Sequence, residues 1–351
     1  MIKKGPKQNE LLKLLGVGFG IAVTLGGTIG TGILRTPGTI ASHLGSPGLI
    51  MAVWVLVSVY AVLGVLCAIE LGVSVPKAGS WYAYSQRAFG DYVGFLTGIT
   101  SWLGTVASLG FGAYTIGEYI AILLPSTSSQ IALMAMAILI TLTAFHLIGT
   151  ATGGKSQEIL SAIKAVGLLV FVIVCFVFGN ETTVIESAAS LPKLAEGSLL
   201  LGIIAALQGV FYTFDGWHTA AYFSEENTDA TKNLPKAMLS GVVSIIVIYL
   251  LVNLAILYVL PMEELQGSKL AAADAMAHIF GEKSGRIITV FLLISILGIM
   301  NTQVMMVPRT LYAMARDGLF FKQAQMVNKG GSPTFAMLIT CFLSVSLIFI
   351  G

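Results

Sequence analysis

Charge is what this sequence lacks most. Only 10% of its 351 residues are Asp, Glu, Lys or Arg, while 56% are hydrophobic. A soluble domain carries roughly 25% charged residues because its surface must meet water, and a globule of this length could not be covered with so few. Neither sign is in excess: 19 basic against 17 acidic residues leave +2, too small a basic surplus for a nucleic-acid partner. Cysteine is equally scarce. Cys67, Cys175 and Cys341 each lie within an apolar block, which excludes a disulfide framework and a CxxC metal site. His43, His146, His218 and His278 are scattered, with no HxxxH pair, so neither a metal nor another cofactor is implied. HExxH, GxSxG and paired catalytic aspartates are missing, and an intramembrane enzyme is disfavoured with them.

What is abundant is uninterrupted apolar sequence. Blocks of about 20 residues or more, the length that crosses a hydrocarbon core about 30 Å thick, cover about 15–43, 48–72, 90–124, 130–149, 157–179, 198–224, 235–260, 286–314 and 334–350. They are continuous rather than alternating, which argues for helices against a barrel. The expected fold class is an all-α polytopic membrane protein. The basic start MIKKGPK resembles a signal peptide, but the apolar run behind it has no small-residue cleavage site near its end and reads as a retained first span. With the N-terminus inside, twelve Lys and Arg fall in cytoplasmic segments (among them Lys3, Lys4 and Lys7) and four outside: Lys193, Lys269, Lys283 and Arg286. That bias predicts a cytoplasmic N-terminus in the cell membrane.

Two spans are interrupted. Gly26-Gly27-Thr28-Ile29-Gly30-Thr31-Gly32 breaks the first, with Pro37 beyond it, and Tyr212-Thr213-Phe214-Asp215-Gly216-Trp217 breaks the sixth. Each alone could be a close-packing glycine face or a kink. Five spans apart, they occupy matching places in two successive halves, the sequence pointer to a transporter whose broken helices meet at the bilayer midplane. Freed N–H groups around Thr31 and Gly32, at the start of a half-helix, would hold a carboxylate. Freed carbonyls near Thr28 and in the sixth span would accept from an ammonium. A free α-amino acid fits such a pair of ends better than a sugar or a lipid.

At these residues the chain resembles the amino acid–polyamine–organocation superfamily, and within it the L-type amino acid transporters. The resemblance runs through Thr28-Ile-Gly-Thr-Gly-Ile-Leu34, through residues 70–90 (ELGVSVPKAGSWYAYSQRAFG), through Phe214-Asp-Gly-Trp217 with Glu225-Glu226 and Asn233-Leu-Pro-Lys-Ala237, and through Tyr312-Ala-Met-Ala-Arg-Asp-Gly318. It implies a single domain over 1–351 with a LeuT-like inverted-repeat fold, the first repeat at about 15–179 and the second at about 198–351. It places substrate at Thr28, Ile29, Gly30, Thr31 and Gly32 and at Tyr212, Thr213 and Asp215. The N–H groups of Gly30, Thr31 and Gly32 would face the carboxylate, and the carbonyls of Thr28, Tyr212 and Asp215 the ammonium. Trp217 would close over the site, and Gly298 and Asn301 would line it. Relatives have about twelve spans and the core fold ten. A chain of nine reads as a truncated product whose second repeat lacks its last helix, with little activity expected of it as it stands.

Lys164 lies about seven residues into the fifth span, where an unpaired ammonium costs about 2.5–3.5 kcal/mol. Its long stem could snorkel to the interface. The resemblance, carried by Gln157-EILSAIK-164, instead implies an ammonium standing where sodium-coupled members hold a sodium ion, bridging spans 1, 5 and 8. Transport would then be sodium-independent, with proton exchange at Lys164 an open alternative. Asp215 either pairs within the protein or faces a cationic group of the substrate. His218 and Glu118 have packing or interfacial readings beside substrate and proton roles, Arg35 either snorkels or retains an anionic group, and Glu225-Glu226 are expected to pair with Arg or Lys. Gly149-Thr-Ala-Thr-Gly-Gly-Lys-Ser156 satisfies the P-loop pattern, but a turn between two spans is not its strand-to-helix setting. The resulting expectation is a transporter of L-amino acids in the lipid bilayer. Sodium-independent exchange of neutral amino acids is preferred, cationic substrates stay open, and proton-coupled symport and a non-transporting amino acid sensor are the alternatives. The turn Pro125-Ser-Thr-Ser-Ser-Gln130 has no cysteine, so the disulfide-linked heavy chain of animal light-chain relatives is not expected.

Overall fold

The structure is a computed structural model that describes residues 10–179, 196–281 and 284–350. Lys3, Lys4, Lys7, Lys193 and Lys283, used above for orientation, lie outside the described residues. Among the described residues the chain is helical, with two isolated β-bridges and no strand. In lipid this is the expected solution, because a helix pairs its own backbone groups where no water can.

The first span is two helices, α1 (Val17–Thr28) and α2 (Gly32–Leu44), bent by 42° at their junction. Next come α3 (Pro47–Ser74), the short α4 (Trp81–Phe89), α5 (Asp91–Leu123), α6 (Ile131–Ile148) and α7 (Thr150–Phe178). The second half has α8 (Glu196–Phe214), a 3-10 stretch Thr219–Glu226 and α9 (Ala230–Val259). After it lie α10 (Met262–Gly267), α11 (Ala271–Phe280), α12 (Gly285–Met306), α13 (Pro308–Arg316) and α14 (Thr334–Ile350). Local chemistry sets several ends. Gly45, at φ +60°, closes α2 in the left-handed conformation, Pro47 opens α3 at its first turn, and the Asp229 carboxylate accepts from the Lys232 N–H to cap α9.

Seven helices among the described residues are long and apolar enough to cross a bilayer, the bent pair makes an eighth, and α14 is a shorter apolar helix of 17 residues. These are the nine blocks of the sequence. One boundary moved: α7 begins at Thr150, not near 157. The P-loop-like residues therefore form its first two turns instead of a loop between spans.

The helices sort into two packed groups. The α1 helix lies on α9, α7 and α12; α2 lies on α8; and α3 lies on α8 and α9. A second apolar core joins Leu109, Ala113 and Ile116 of α5 to Leu139 of α6, Met300 of α12 and Met337 of α14. Large apolar side chains such as Leu56, Leu63, Val166, Ile173 and Val177 point outward and exposed. On a soluble protein such a surface would drive association; here it meets acyl chains.

One end of the bundle, the end bearing α4, is tied by charge. Arg309 is 2% exposed and pairs with Glu226, itself fully buried, through Nε and, at 2.7 Å, through Nη2. Arg316 holds Glu225 through two bonds of 2.6 and 3.0 Å, and Glu225 also accepts from the Ala78 N–H. The segment before α1 joins in, with Leu15 N–H donating to the Glu226 carbonyl and Leu15 O accepting from Thr228. Tyr82 donates to Asp317 at 3.0 Å, and burial together with that carboxylate pushes its phenol above the ordinary tyrosine range, so the proton stays on the donor. Glu225 and Glu226 thus pair as expected, both with arginine.

Breaking a buried pair by removing one partner costs about 3–5 kcal/mol, because the other charge is left desolvated. Arg309→Met should lower the unfolding midpoint in detergent clearly below that of the parent, measured by temperature-resolved size exclusion. An unchanged midpoint would show that the pair does not hold this end together.

Candidate solute-binding cavity

Both interruptions are real breaks, and they touch. Ile29, Gly30 and Thr31 leave the helix between α1 and α2, and Asp215–His218 form turns between α8 and the 3-10 stretch. Gly216 sits at φ +111°, and a Cβ there would strike the Gly27 carbonyl. Only glycine supplies both the conformation and the close approach. On the other side, a Cβ on Gly32 would lie 2.8 Å from Thr213 Oγ1. The glycines of the two motifs let one broken backbone rest on the other.

The fate of the freed backbone groups defines the site. A helix end leaves its last carbonyls without intrahelical partners, and in lipid each must be paired. Lys164 Nζ donates to the carbonyls of Gly26 at 2.8 Å and Ile29 at 2.6 Å, and to Ser295 of α12 at 3.3 Å. Tyr249 of α9 places its hydroxyl 3.0 Å from the Thr28 carbonyl and 3.1 Å from that of Thr213, spanning the two breaks. The Tyr212 carbonyl accepts from the Asp215 N–H at 3.3 Å. What remains is specific. The N–H groups of Gly30, Thr31 and Gly32, and the carbonyls of Gly27, Gly30 and Asp215, have no hydrogen-bond partner among the described residues.

These groups border one cavity of about 430 Å³, within the ~300–1,000 Å³ of small-molecule sites. Its walls are Ser108, Gly112, Thr115, Glu118 and Tyr119 of α5, and Ile296, Ile299, Met300 and Gln303 of α12, with Arg35 from α2. Ser108 and Gln303 bond to each other across it at 3.0 Å. Of the residues singled out in the sequence, Thr28, Gly30, Thr31, Gly32, Tyr212, Thr213 and Asp215 line the cavity, as do Arg35 and Glu118.

Others are placed differently. Ile29 is buried away from the cavity and contributes its carbonyl to Lys164. Trp217 does not cover the cavity: its ring packs on Gly64 of α3, and Tyr212, 78% exposed, stands at the cavity instead. His218 lies with Trp217, beside Trp81 and 3.9 Å from Asp215. Asn301 is buried behind the site, bonded to Gln157 at 2.6 Å and His146 at 2.8 Å. Gly298 faces Lys164, where a Cβ would lie 2.9 Å from Nζ. Lys164 itself is fully buried, which rules out snorkelling.

Tyr249 and the Ser108–Gln303 pair had not been anticipated. A tyrosine inside an apolar run reads as packing, and only its position opposite both breaks reveals its second use. Ser108 and Gln303 belong to no motif, and their approach depends on the crossing of α5 and α12.

Comparison with known proteins extends this geometry. A family model described as amino acid permease matches residues 19–351. The chain is 26% identical over 314 residues to the serine/threonine exchanger SteT of Bacillus subtilis, covering 88% of this chain and 69% of that protein. It is 29% identical over 354 residues to the rat large neutral amino acids transporter small subunit 2, covering 96% and 64%. With the human Asc-type amino acid transporter 1 it shares 30% identity over 363 residues, covering 97% and 66%. The chain thus spans about two thirds of the length of these relatives. In fold it is similar to MhsT, solved in complex with L-phenylalanine, with a TM-score of 0.63 at 13% identity over 97% of this chain and 79% of that one.

Proposed function

Because this chain belongs to the amino acid permease family, we propose that it moves L-amino acids across the cell membrane by alternating access, as a sodium-independent exchanger. The observation that carries the reading is the set of unpaired backbone groups in one cavity. The N–H groups of Gly30, Thr31 and Gly32, at the start of α2, suit a carboxylate, and the dipole of that half-helix adds to them. The carbonyls of Gly27 and Asp215 suit an ammonium. The Thr28 and Tyr212 carbonyls, expected to share that task, are occupied by Tyr249 and by the Asp215 N–H. A zwitterion brings one partner for each unpaired set, and its backbone recognition leaves the side chain to α5 and α12. Neutral substrates fit best, because Arg35 and the two carboxylates Glu118 and Asp215 already bring both signs to the lining.

Sodium independence is supported by Lys164. Its ammonium already takes carbonyls from α1 and α12, leaving no role there for a second cation. Exchange is favoured over proton-coupled symport by the likeness to one relative that is a serine/threonine exchanger. The two halves act as repeats hinged at the breaks, the N-terminus faces the cytoplasm, and no disulfide-linked heavy chain is needed. Asn301 serves by fixing Gln157 behind α1, and Trp217 by seating the sixth span on α3.

Full-length protein in proteoliposomes, loaded with labelled amino acids in sodium-free buffer, should release label only when unlabelled amino acid is present outside. Release indifferent to external amino acid would overturn exchange, and binding without any flux would identify a sensor. In the same assay Lys164→Ala should cut the rate at least tenfold or alter its pH dependence, since three carbonyls lose a charged donor, each such bond contributing about 1.5–3 kcal/mol. A parental rate with the parental pH profile would remove Lys164 from the coupling machinery.

A further inference from the structure

The cavity wall carries one polar pair that recognition of an ammonium and a carboxylate does not use. Ser108 of α5 and Gln303 of α12 both line the cavity. Gln303 Nε2 donates to Ser108 Oγ at 3.0 Å, and that hydroxyl can donate in turn to Gln303 Oε1 at 3.4 Å. Neither side chain has another hydrogen-bond partner among the described residues. A hydroxyl can donate once and accept twice, and a carboxamide can donate twice and accept twice. Their mutual contact therefore leaves most of that capacity open toward the cavity.

Helix packing does not account for the pair. The two helices close through apolar neighbours: Leu109 and Val304, next in sequence to Ser108 and Gln303, are 0% and 4% exposed in one core. Ser108 itself is exposed and Gln303 half-buried. Within two turns of the pair the cavity walls present Phe111, Gly112, Ile296, Ile299 and Met300. The nearby Thr115 hydroxyl is engaged by the Phe111 carbonyl of its own helix at 2.9 Å. The Glu118 charge lies farther along α5, about 15 Å from Ser108 along the axis.

The position suits a solute side chain. A Cβ on Gly30 at the first break would lie 2.5 Å from Ile299 Cδ1. Gln303 follows Ile299 by one helical turn, on the same face of α12 and about 6 Å along it. Thr302, next to Gln303, lies against Gly27, where a Cβ would be 3.4 Å from its Cγ2. A zwitterion held by the broken ends thus directs a short side chain toward the pair. An aliphatic side chain would cover the open donors and acceptors without replacing the water it expels, which disfavours it. A hydroxyl or a carboxamide would replace that water.

We propose that the Ser108–Gln303 pair reads the solute side chain and selects neutral L-amino acids bearing a hydroxyl or a carboxamide over aliphatic ones of the same shape. The inference rests on the transport reading above and narrows it. The substrate oxygen accepts from the Gln303 amide, and its hydroxyl or amide hydrogen is donated to Ser108 Oγ or Gln303 Oε1. A site built to hydrogen-bond a substrate group rejects the isostere that lacks it, because its own polar groups are then left unpaired.

The test uses full-length protein in proteoliposomes and two pairs of similar shape, threonine against valine and asparagine against leucine, each at subsaturating concentration. The parent should exchange threonine about fivefold or more faster than valine, and asparagine likewise faster than leucine. Ser108→Ala with Gln303→Leu should bring both ratios below about twofold. The ratio is the readout because a packing defect lowers both members of a pair alike. Ser108→Ala alone, which removes a single atom, keeps the test open if the double variant does not fold, and should lower the threonine ratio about twofold or more. A parent that exchanges both members of each pair equally, or variants that keep the parental ratios, overturn the side-chain assignment and leave the transport reading intact. A parent that exchanges none of the four overturns both.

Discussion

Every backbone polar group inside a bilayer must find a partner, and this requirement organises the molecule. Seven helices meet it along their own length. The first and sixth spans do not, and their broken ends must be served by other elements. Lys164 supplies a charged donor from α7 to the first break, and Tyr249 a neutral one from α9 that the two breaks share. What those side chains leave unpaired around the cavity, among the described residues, is three N–H groups and three carbonyls. The site is thus a remainder of the fold's own hydrogen bonding, and its chemistry follows from which groups were left over.

Close backbone approach is the second requirement, and glycine meets it at the positions that matter. Gly216 rests on Gly27, Gly32 on Thr213, and Gly298 leaves room for the Lys164 ammonium. Behind these contacts the polar set of Gln157, Ser161 and Asn301 holds α1 to α7 and α12, with Ser161 Oγ donating to the Ala22 carbonyl at 2.6 Å. The α5, α6, α12 and α14 group has its own apolar core and forms one wall. The α1, α3, α8 and α9 group carries both breaks. At the α4 end, the buried Arg309–Glu226 pair and the more exposed Arg316–Glu225 pair tie the 3-10 stretch to α13.

Much of this was legible in the sequence because its causes are local. An apolar run of 20 or more residues has one stable form in lipid, so the nine blocks and the all-helical fold could be read directly. The breaks were legible because glycine clusters and Asp215 are costly in that setting. Lys164 could be read for the same reason. Side-chain direction was less accessible. Trp217 and Asn301 lie within a turn of the cavity in sequence, yet the backbone turn at 215–218 sends one toward α3 and helical phase sends the other toward Gln157. The start of α7 was misplaced because Gly153, Gly154, Lys155 and Ser156 look like a loop, although packing of Gly154 against Phe19 keeps them helical. Tyr249 was hidden among Ile and Leu, since a phenol's partner is a tertiary fact.

The central claim is that unpaired backbone groups at the junction of two broken helices recognise both ends of a zwitterion. The most direct measurement is binding of one neutral L-amino acid to the purified full-length protein, compared with its methyl ester and with the 2-hydroxy acid that lacks the ammonium. The account predicts that the amino acid binds and that each analogue loses at least tenfold in affinity, because each leaves one set of buried groups without its partner. Equal binding of either analogue would mean that the corresponding backbone groups do not hold the solute, and would contradict the account.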